Sequence, residues 1–476
     1  MKLKQMLGDK PFWQVTSRLA LPIALQNLLT SSFQLVDTMM VSRLGDVTLS
    51  AVGMASQWGW MSTLLGFGLC SGMSVFVSQY WGVRDTKGIR RVLGITLLFS
   101  LLISALFLSV ALLLPDTVLR MFNKDPAVLA AGRSYLVVVC FSYPAVTLTN
   151  ILATVLRNTE QVKAPLYVSM VTTVVNMIVN YGLIFGRLGM PELGVAGAAV
   201  ATCISSWLGP VLLLAISAWK KNLLIGPVRE LVAFRLHHLK EFFRRVSPVL
   251  VNEAMWSLGI VVLNMIYSNQ GYEYFAGVTV FKTFGDLCFA FYVGLGNSCT
   301  IMVGKSVGQG KIARAVEDAK RFTFLLALAG FVVGSTMILC RHALVSVFTG
   351  GDNISDLAIQ TALSVTVFCG IEVILRNITY VQVVGIFRSG GDTFGGMIYD
   401  LGSLWIVSIP AALLVSRIPG VPFLAVVAAA YLGEDIPKTL LCLRHFRTGK
   451  WLKPVTPEGL AGLEAYRAAN GGSLRI

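Results

Sequence analysis

Asp37 stands inside an apolar run that begins near Leu19 and closes with Phe33-Gln34-Leu35-Val36-Asp37-Thr38-Met39-Met40-Val41. A carboxylate at such a place in a bilayer costs about 2.5–3.5 kcal/mol on insertion scales. Nothing within one helical turn neutralises it, since Phe33, Val36, Met40 and Val41 are apolar and Gln34 and Thr38 are uncharged. Such an acid either reaches the headgroups or is put to use, by taking up a proton or holding a cation. Asn176 and Asn180 are spaced so that a helix sets both on one face of another apolar run, and Thr202 lies in the next. A carboxylate with amide and hydroxyl oxygens suits a hard cation such as Na⁺, while the carboxylate alone suffices for H⁺. Taken singly, Asn176, Asn180 and Thr202 are equally suited to hydrogen bonds between packed helices.

A second set of polar residues lies in the other half. Lys282 with Asp286, and Glu372 with Arg376, have the i,i+4 spacing of ion pairs, which lowers the insertion cost of both partners. They are either self-neutralised structural pairs or part of a polar substrate cavity. Asp400 and Glu434-Asp435 lie nearer the ends of their runs and read as packing or interfacial residues. The eight cysteines are scattered without metal or disulfide spacing. Gly66-Phe67-Gly68 and Gly294-Leu295-Gly296 follow no strand, so they are not nucleotide loops, and no Walker motif points to ATP. No catalytic triad or metal cluster is visible. The residues predict neither an enzyme nor a resident cofactor.

The elements that must hold these residues are membrane spans. Of the 476 residues 55% are hydrophobic and 13% charged, and the mean hydropathy is +0.72; a soluble chain would carry about a quarter charged residues. Apolar runs predict spans near 17–41, 51–81, 90–114, 130–155, 165–186, 194–219, 246–268, 275–304, 322–340, 357–386, 395–416 and 421–443. The first twenty residues carry Lys2, Lys4, Lys10 and Arg18 without a small-residue cleavage site, which predicts no removable signal peptide. Arg84, Lys87, Arg90 and Arg91, then Arg157 and Lys163, the run from Lys220 to Arg245, then Lys305, Lys311, Arg314, Lys320 and Arg321, then Arg388, and the C-terminal basic cluster ending at Lys453 fall on alternate loops. The opposite loops hold far fewer basic residues, so both termini are expected in the cytoplasm. The net charge of +15 is then mostly the positive-inside signal, and a nucleic-acid partner drops out.

The chain also repeats. Leu21-Pro22 recurs as Ser247-Pro248, 226 residues later, and the same offset carries Gly45 onto Gly271 and Gly82 onto Gly308. Leu156-Arg157 resembles Phe387-Arg388 with a small shift. Two six-span halves of like orientation follow, an architecture of transporters with the substrate path between halves. The predicted division is a cytoplasmic N-terminus over 1–16, an N-lobe over 17–219, a basic linker over 220–245, a C-lobe over 246–445 and a cytoplasmic tail over 446–476. The residues after Lys453 are polar and Gly/Ala-rich and are expected to be loosely ordered. With these spans Asp37 lies roughly 6 Å, Asn180 roughly 9 Å and Thr202 roughly 12 Å from the outer surface. Asn176 is one turn deeper than Asn180. The four thus share one shallow band. Pro22, near the inner end of the first span, removes a helical hydrogen bond and is a candidate hinge.

On these residues the chain resembles the multidrug and toxic compound extrusion (MATE) family of the MOP flippase superfamily. The resemblance is carried by Pro22 with Gln26-Asn27, Val36-Asp37-Thr38 with Arg43-Leu44-Gly45, and Ala51-Val52-Gly53. It continues through the Gly82 and Gly308 regions, Asn176-x-x-x-Asn180-Tyr-Gly-Leu-Ile-Phe-Gly186, and Leu193-Gly194-Val-Ala-Gly197-Ala-Ala-Val-Ala-Thr202. It implies an all-α integral membrane protein of twelve transmembrane helices in two parallel-repeat lobes. It further implies a monomeric antiporter in the plasma (bacterial inner) membrane, exporting a small organic substrate against a monovalent cation, H⁺ or Na⁺. If the ion is Na⁺, Asp37, Asn176 and Asn180 are its expected ligands. Glu253 matches a seventh-span acid found in part of the family. Asn377 stands where some members carry a tenth-span carboxylate, which puts a cation site of that kind in doubt. A lipid-linked oligosaccharide flippase of the same superfamily would need a large cationic cavity. Lys282 and Arg376 alone are a poor supply for it.

Overall fold

The computed structural model covers residues 1–476 and describes 8–122, 125–346, 355–471 and 473–474; the side chains at 33–35, 46, 272, 283–284 and 286–287 are also outside the described set. Helices start where side chains can satisfy the first free N–H groups. Asp85, Asp125, Ser355, Asp392 and Thr456 each cap one in this way. The resulting helices are α1 Lys10–Ser42, α2 Asp46–Gly82, α3 Thr86–Leu113, α4 Pro115–Arg120, α5 Pro126–Val139, α6 Ser142–Asn158, α7 Lys163–Phe185 and α8 Gly194–Trp219. They continue with α9 Val228–Leu231, α10 Leu236–Asn269, α11 Tyr272–Gly308, α12 Ile312–Ser346, α13 Asp356–Gly390, α14 Thr393–Ser416, α15 Phe423–Thr448 and α16 Pro457–Ala469. Two stretches are wound as π-helix, Val381–Phe387 in α13 and Ser403–Ser408 in α14.

Among the described residues nine helices are long and apolar enough to cross a membrane, and ten if α5 and α6, bent by 48° at their junction, form one span. Large apolar side chains face outward on them, such as Leu106 and Leu113 of α3 and Phe331 and Leu339 of α12. That is the composition of a lipid-facing surface. The other two predicted spans fall on α11 and α15, and α15 carries Glu434, Asp435 and Lys438 in its middle. The fold is all-α and multi-pass.

Two compact units divide the chain. One comprises Leu25–Val77 and Asp85–Phe243; the other comprises Met1–Ala24, Ser78–Arg84 and Arg244–Ile476. In the first, Val41, Ala55, Leu119, Leu136, Cys140 and Ile184 are core residues. Here α7 and α8 approach backbone to backbone, since a Cβ on Gly197 would lie 2.5 Å from the Leu183 carbonyl oxygen. The basic segment after α8 folds back on α3. Arg90 pairs with Glu230 at 2.6 Å and donates to the carbonyls of Leu223 and Ile225.

In the second unit the core includes Tyr267, Val278, Val365, Leu404, Val427 and Ala430. Gly334 and Gly370 let α12 and α13 touch through their backbones, a Cβ on Gly334 meeting the Gly370 carbonyl oxygen. The repeat is visible here in one contact. A Cβ on Gly82 would lie 2.5 Å from the Lys305 carbonyl oxygen, and one on Gly308 would meet that of Gln79. Gln79 and Lys305 are themselves 226 residues apart, so equivalent glycines meet equivalent carbonyls.

The segment after Lys453 corrects an expectation. It is helical over Pro457–Ala469, with the Thr456 side chain accepting from Gly459 N–H and donating to the Gly308 carbonyl. A Thr cap followed by proline at the first helical position is a start signal that outweighs the polar composition.

Candidate functional site

Gly186, in the left-handed region at φ +62°, ends α7, and the chain returns after a short loop into α8. Antiparallel neighbours joined this closely bring Asn176 and Asn180 level with Thr202 and Ser205. Asn180 Nδ2 donates to Asn176 Oδ1 at 2.7 Å, and Asn176 Nδ2 donates to Ser205 Oγ at 2.7 Å. Ser205 Oγ in turn donates to the Thr202 carbonyl at 3.1 Å. The relay ends on the acid: Asn180 Nδ2 also donates to Asp37 Oδ1, at 2.6 Å.

Asp37 is half-buried, whereas Asn180 and Asn176 are 0% and 3% exposed. No base among the described residues pairs with Asp37; its charge is met by one amide donor. The Asn180 Oδ1 atom is buried and has no donor. A carboxylate beside an idle amide oxygen is an arrangement able to take a proton on Asp37 or to hold a cation between the two oxygens. Asn176 Oδ1 is already occupied by an N–H, so Asp37 and Asn180 are the better oxygen donors for Na⁺. Thr202 does not touch the carboxylate: its hydroxyl donates to the Ala198 carbonyl at 3.0 Å and faces Tyr135, which also faces Ser56.

The second group of predicted residues lies in the other unit. Glu253 pairs with Arg388 at 2.8 Å. Glu372 and Asp435 both approach Arg376 Nε, at 3.4 and 3.8 Å, and the guanidinium lies 4.5 Å from the ring centre of Tyr431. Lys438 pairs with Asp400 and, at 3.2 Å, with Glu434, while Asn252 donates to Asp400 at 2.9 Å. Asn377 is buried beside Tyr292. Lys282 donates to Asn264 Oδ1, but the Asp286 side chain predicted to pair with it lies outside the described residues. Pro22 sits inside α1.

Ser205 and Tyr135 went unread because single hydroxyls in apolar runs look like packing residues. Lys438 was within reach of the i,i+4 rule, which fits Glu434–Lys438 as well as it fits Glu372–Arg376. Among the described residues no group of three His, Cys, Asp or Glu side chains is placed to hold a metal.

Comparison with known proteins adds a family and relatives. The MatE family model matches twice, over residues 22–182 and 248–414, and the two matches start 226 residues apart, the offset of the internal repeat. The chain is 24% identical over 440 residues to a probable multidrug resistance protein NorM of Thermotoga maritima, covering 92% of each chain. It is 24% identical over 408 residues to a probable multidrug resistance protein YoeA of Bacillus subtilis, covering 85% of this chain and 87% of the other. Among solved structures, a mutant of the Vibrio cholerae MATE transporter VcmN superposes with a TM-score of 0.80 at 17% identity, over 97% and 99% of the two chains. An outward-facing multidrug resistance MATE family transporter of the MOP superfamily does so with a TM-score of 0.79 at 19% identity, over 99% of each.

Proposed function

The chain belongs to the MATE family of multidrug-efflux transporters within the MOP superfamily, and on that premise we propose that it is a secondary active antiporter driven through Asp37. It exports organic compounds, cationic drugs or a dedicated metabolite, from the cytoplasm in exchange for H⁺ or Na⁺. Twelve spans form two six-helix lobes, 17–219 and 246–445, joined by the 220–245 linker, with both termini cytoplasmic in the inner membrane. The doubled family match and the 226-residue repeat support two like halves.

The observation that carries the reading is the Asp37–Asn180 contact, with its unbalanced carboxylate and idle amide oxygen. From the outside a proton or Na⁺ reaches Asp37 and cancels its charge. The Asn180 donor then loses its anionic acceptor, and α1 repacks against α7 and α8. Substrate is released outward and the transporter turns to face the cytoplasm. One cation moving inward supplies about 2.3 kcal/mol per 100 mV, enough for roughly fifty-fold accumulation at one-to-one coupling. Pro22 supports a bend in α1, because the two compact units part within that helix at Ala24–Leu25. Glu253, Glu372, Arg376 and Asn377 belong to the polar interior of the C-lobe.

Purified protein in liposomes, loaded with a fluorescent organic cation, is given a pH gradient alone and then a Na⁺ gradient alone. The reading expects efflux under at least one. Efflux under neither contradicts it.

A further inference from the structure

Glu372 on α13 and Asp435 on α15 converge on one atom, Arg376 Nε, at 3.4 and 3.8 Å. They are 3% and 1% exposed. The atoms that approach Arg376, Glu372 Oε1 and Asp435 Oδ2, are buried and make no hydrogen bond among the described residues, and neither does the hydroxyl of Tyr267, from α10, which faces the same cluster. Two ionised carboxylates are acceptors only and cannot bond to one another; a protonated one supplies the missing donor.

The charge balance points the same way. Glu372 and Asp435 share Arg376, while Asp400 and Glu434 share Lys438. Among the described residues four acids thus face two bases. Continuing from Asp400 to Arg388 and its partner Glu253 adds one of each sign and leaves the excess unchanged. Unbalanced negative charge is costly in a buried site, and two acids that share one base relieve it when one of them takes a proton. Arg376 stands 3.4 and 3.8 Å from its acids, whereas Lys438 is 3.2 Å from Glu434 and closer still to Asp400, so the less well neutralised pair is Glu372–Asp435. Around it stand Cys369 and Arg376 on α13, Tyr431, Glu434 and Lys438 on α15, and Tyr267 on α10, with Asp400 of α14 behind Lys438.

We propose that Glu372 and Asp435 hold one exchangeable proton between them at neutral pH, a second proton site of this chain distinct from Asp37. Thr379 fixes the pair by donating to Asp435 Oδ1 at 3.2 Å. Arg376, the base that both acids share, links the pair to the surface: its side chain is 39% exposed while those of both acids are 2%. On release the proton passes to water and the pair becomes two carboxylates on one guanidinium. The site goes beyond the antiporter reading and does not depend on Asp37 being the coupling group.

Infrared difference spectroscopy of the purified full-length protein, in normal and heavy water, reads protonated carboxyls directly. Wild type should show a protonated-carboxyl band at neutral pH that disappears on alkaline titration, and Asp37→Asn should keep it. Glu372→Gln and Asp435→Asn should each lose the intensity of one carboxyl, because the remaining acid then has Arg376 to itself. A wild-type spectrum with no such band at neutral pH overturns the proposal without recourse to the variants. Undiminished intensity in both variants overturns it as well. Neither result bears on whether efflux follows an ion gradient, so this failure and that of the antiporter reading are separable.

Discussion

Asn180 Nδ2 lies 2.6 Å from Asp37 Oδ1, although 143 positions separate the two residues. One amide nitrogen serves both Asp37 and Asn176, so the carboxylate is oriented by the same group that joins it to the α7–α8 relay. A hydrogen bond to a charged group is worth about 1.5–3 kcal/mol.

Removing that donor gives the first prediction. Asn180→Ala should insert and express normally but transport at a reduced rate, short of the loss caused by removing the acid itself. Under a Na⁺ gradient the apparent ion affinity should fall, because an oxygen ligand goes with the amide. Wild-type rates and ion affinity at matched protein level would mean that the contact has no part in coupling.

Lys438 is the shared base of Asp400 and Glu434. Lys438→Met therefore leaves two buried acids without it, a loss on the order of 3–5 kcal/mol. Lys438→Arg should recover much of the deficit. Thermal unfolding in detergent measures both, and equal melting temperatures for Met and Arg variants would show that the charge is not what stabilises the site.

Asp392, between α13 and α14, predicts a pH dependence. Burial works against its ionisation, but hydrogen bonds from His445 and Lys453, the Lys453 charge and the Gly395 N–H outweigh burial and hold its carboxyl below the ordinary range. A depressed folded pKa contributes stability that is complete above the unfolded value, near 3.9, and is lost as pH falls through the folded one. Asp392→Asn should thus lower the melting temperature at neutral pH, with the gap to wild type closing in acid. A gap that stays constant down through that range would contradict the assignment.

Topology has its own test. Ala233 is exposed between α9 and α10, whereas nearby Glu230 is engaged by Arg90. In a Cys-free background, Ala233→Cys should react with an impermeant maleimide in inside-out vesicles and not in intact cells. Labelling of intact cells would reverse the proposed orientation.

How far the sequence could be read depended on the physics of each feature. Asp37 was legible because an unpaired acid in an apolar run is costly whatever the fold, and Asn176–Asn180 because their spacing is helical. The π-wound stretches of α13 and α14 follow tertiary packing and leave no period in the sequence. The Glu372–Asp435 contact joins separate helices, which spacing rules do not reach. Asp400 and Glu434-Asp435 read as interfacial because a sequence gives only their positions along single spans; Lys438 and Arg376 gather them only in three dimensions. The helix Pro457–Ala469 differs: its Thr456-Pro457 start is local and legible, but the polar, Gly/Ala-rich composition around it points to a loose tail.

The central claim is that Asp37 couples ion entry to export. Its most direct test is efflux by Asp37→Asn in proteoliposomes at matched protein level, across imposed H⁺ and Na⁺ gradients. The amide is nearly isosteric and keeps its place beside Asn180, but it neither takes up a proton nor offers a negative charge to Na⁺. The account predicts normal insertion, unchanged or slightly higher stability, and no gradient-driven efflux. Wild-type rates that still follow the gradient would contradict it.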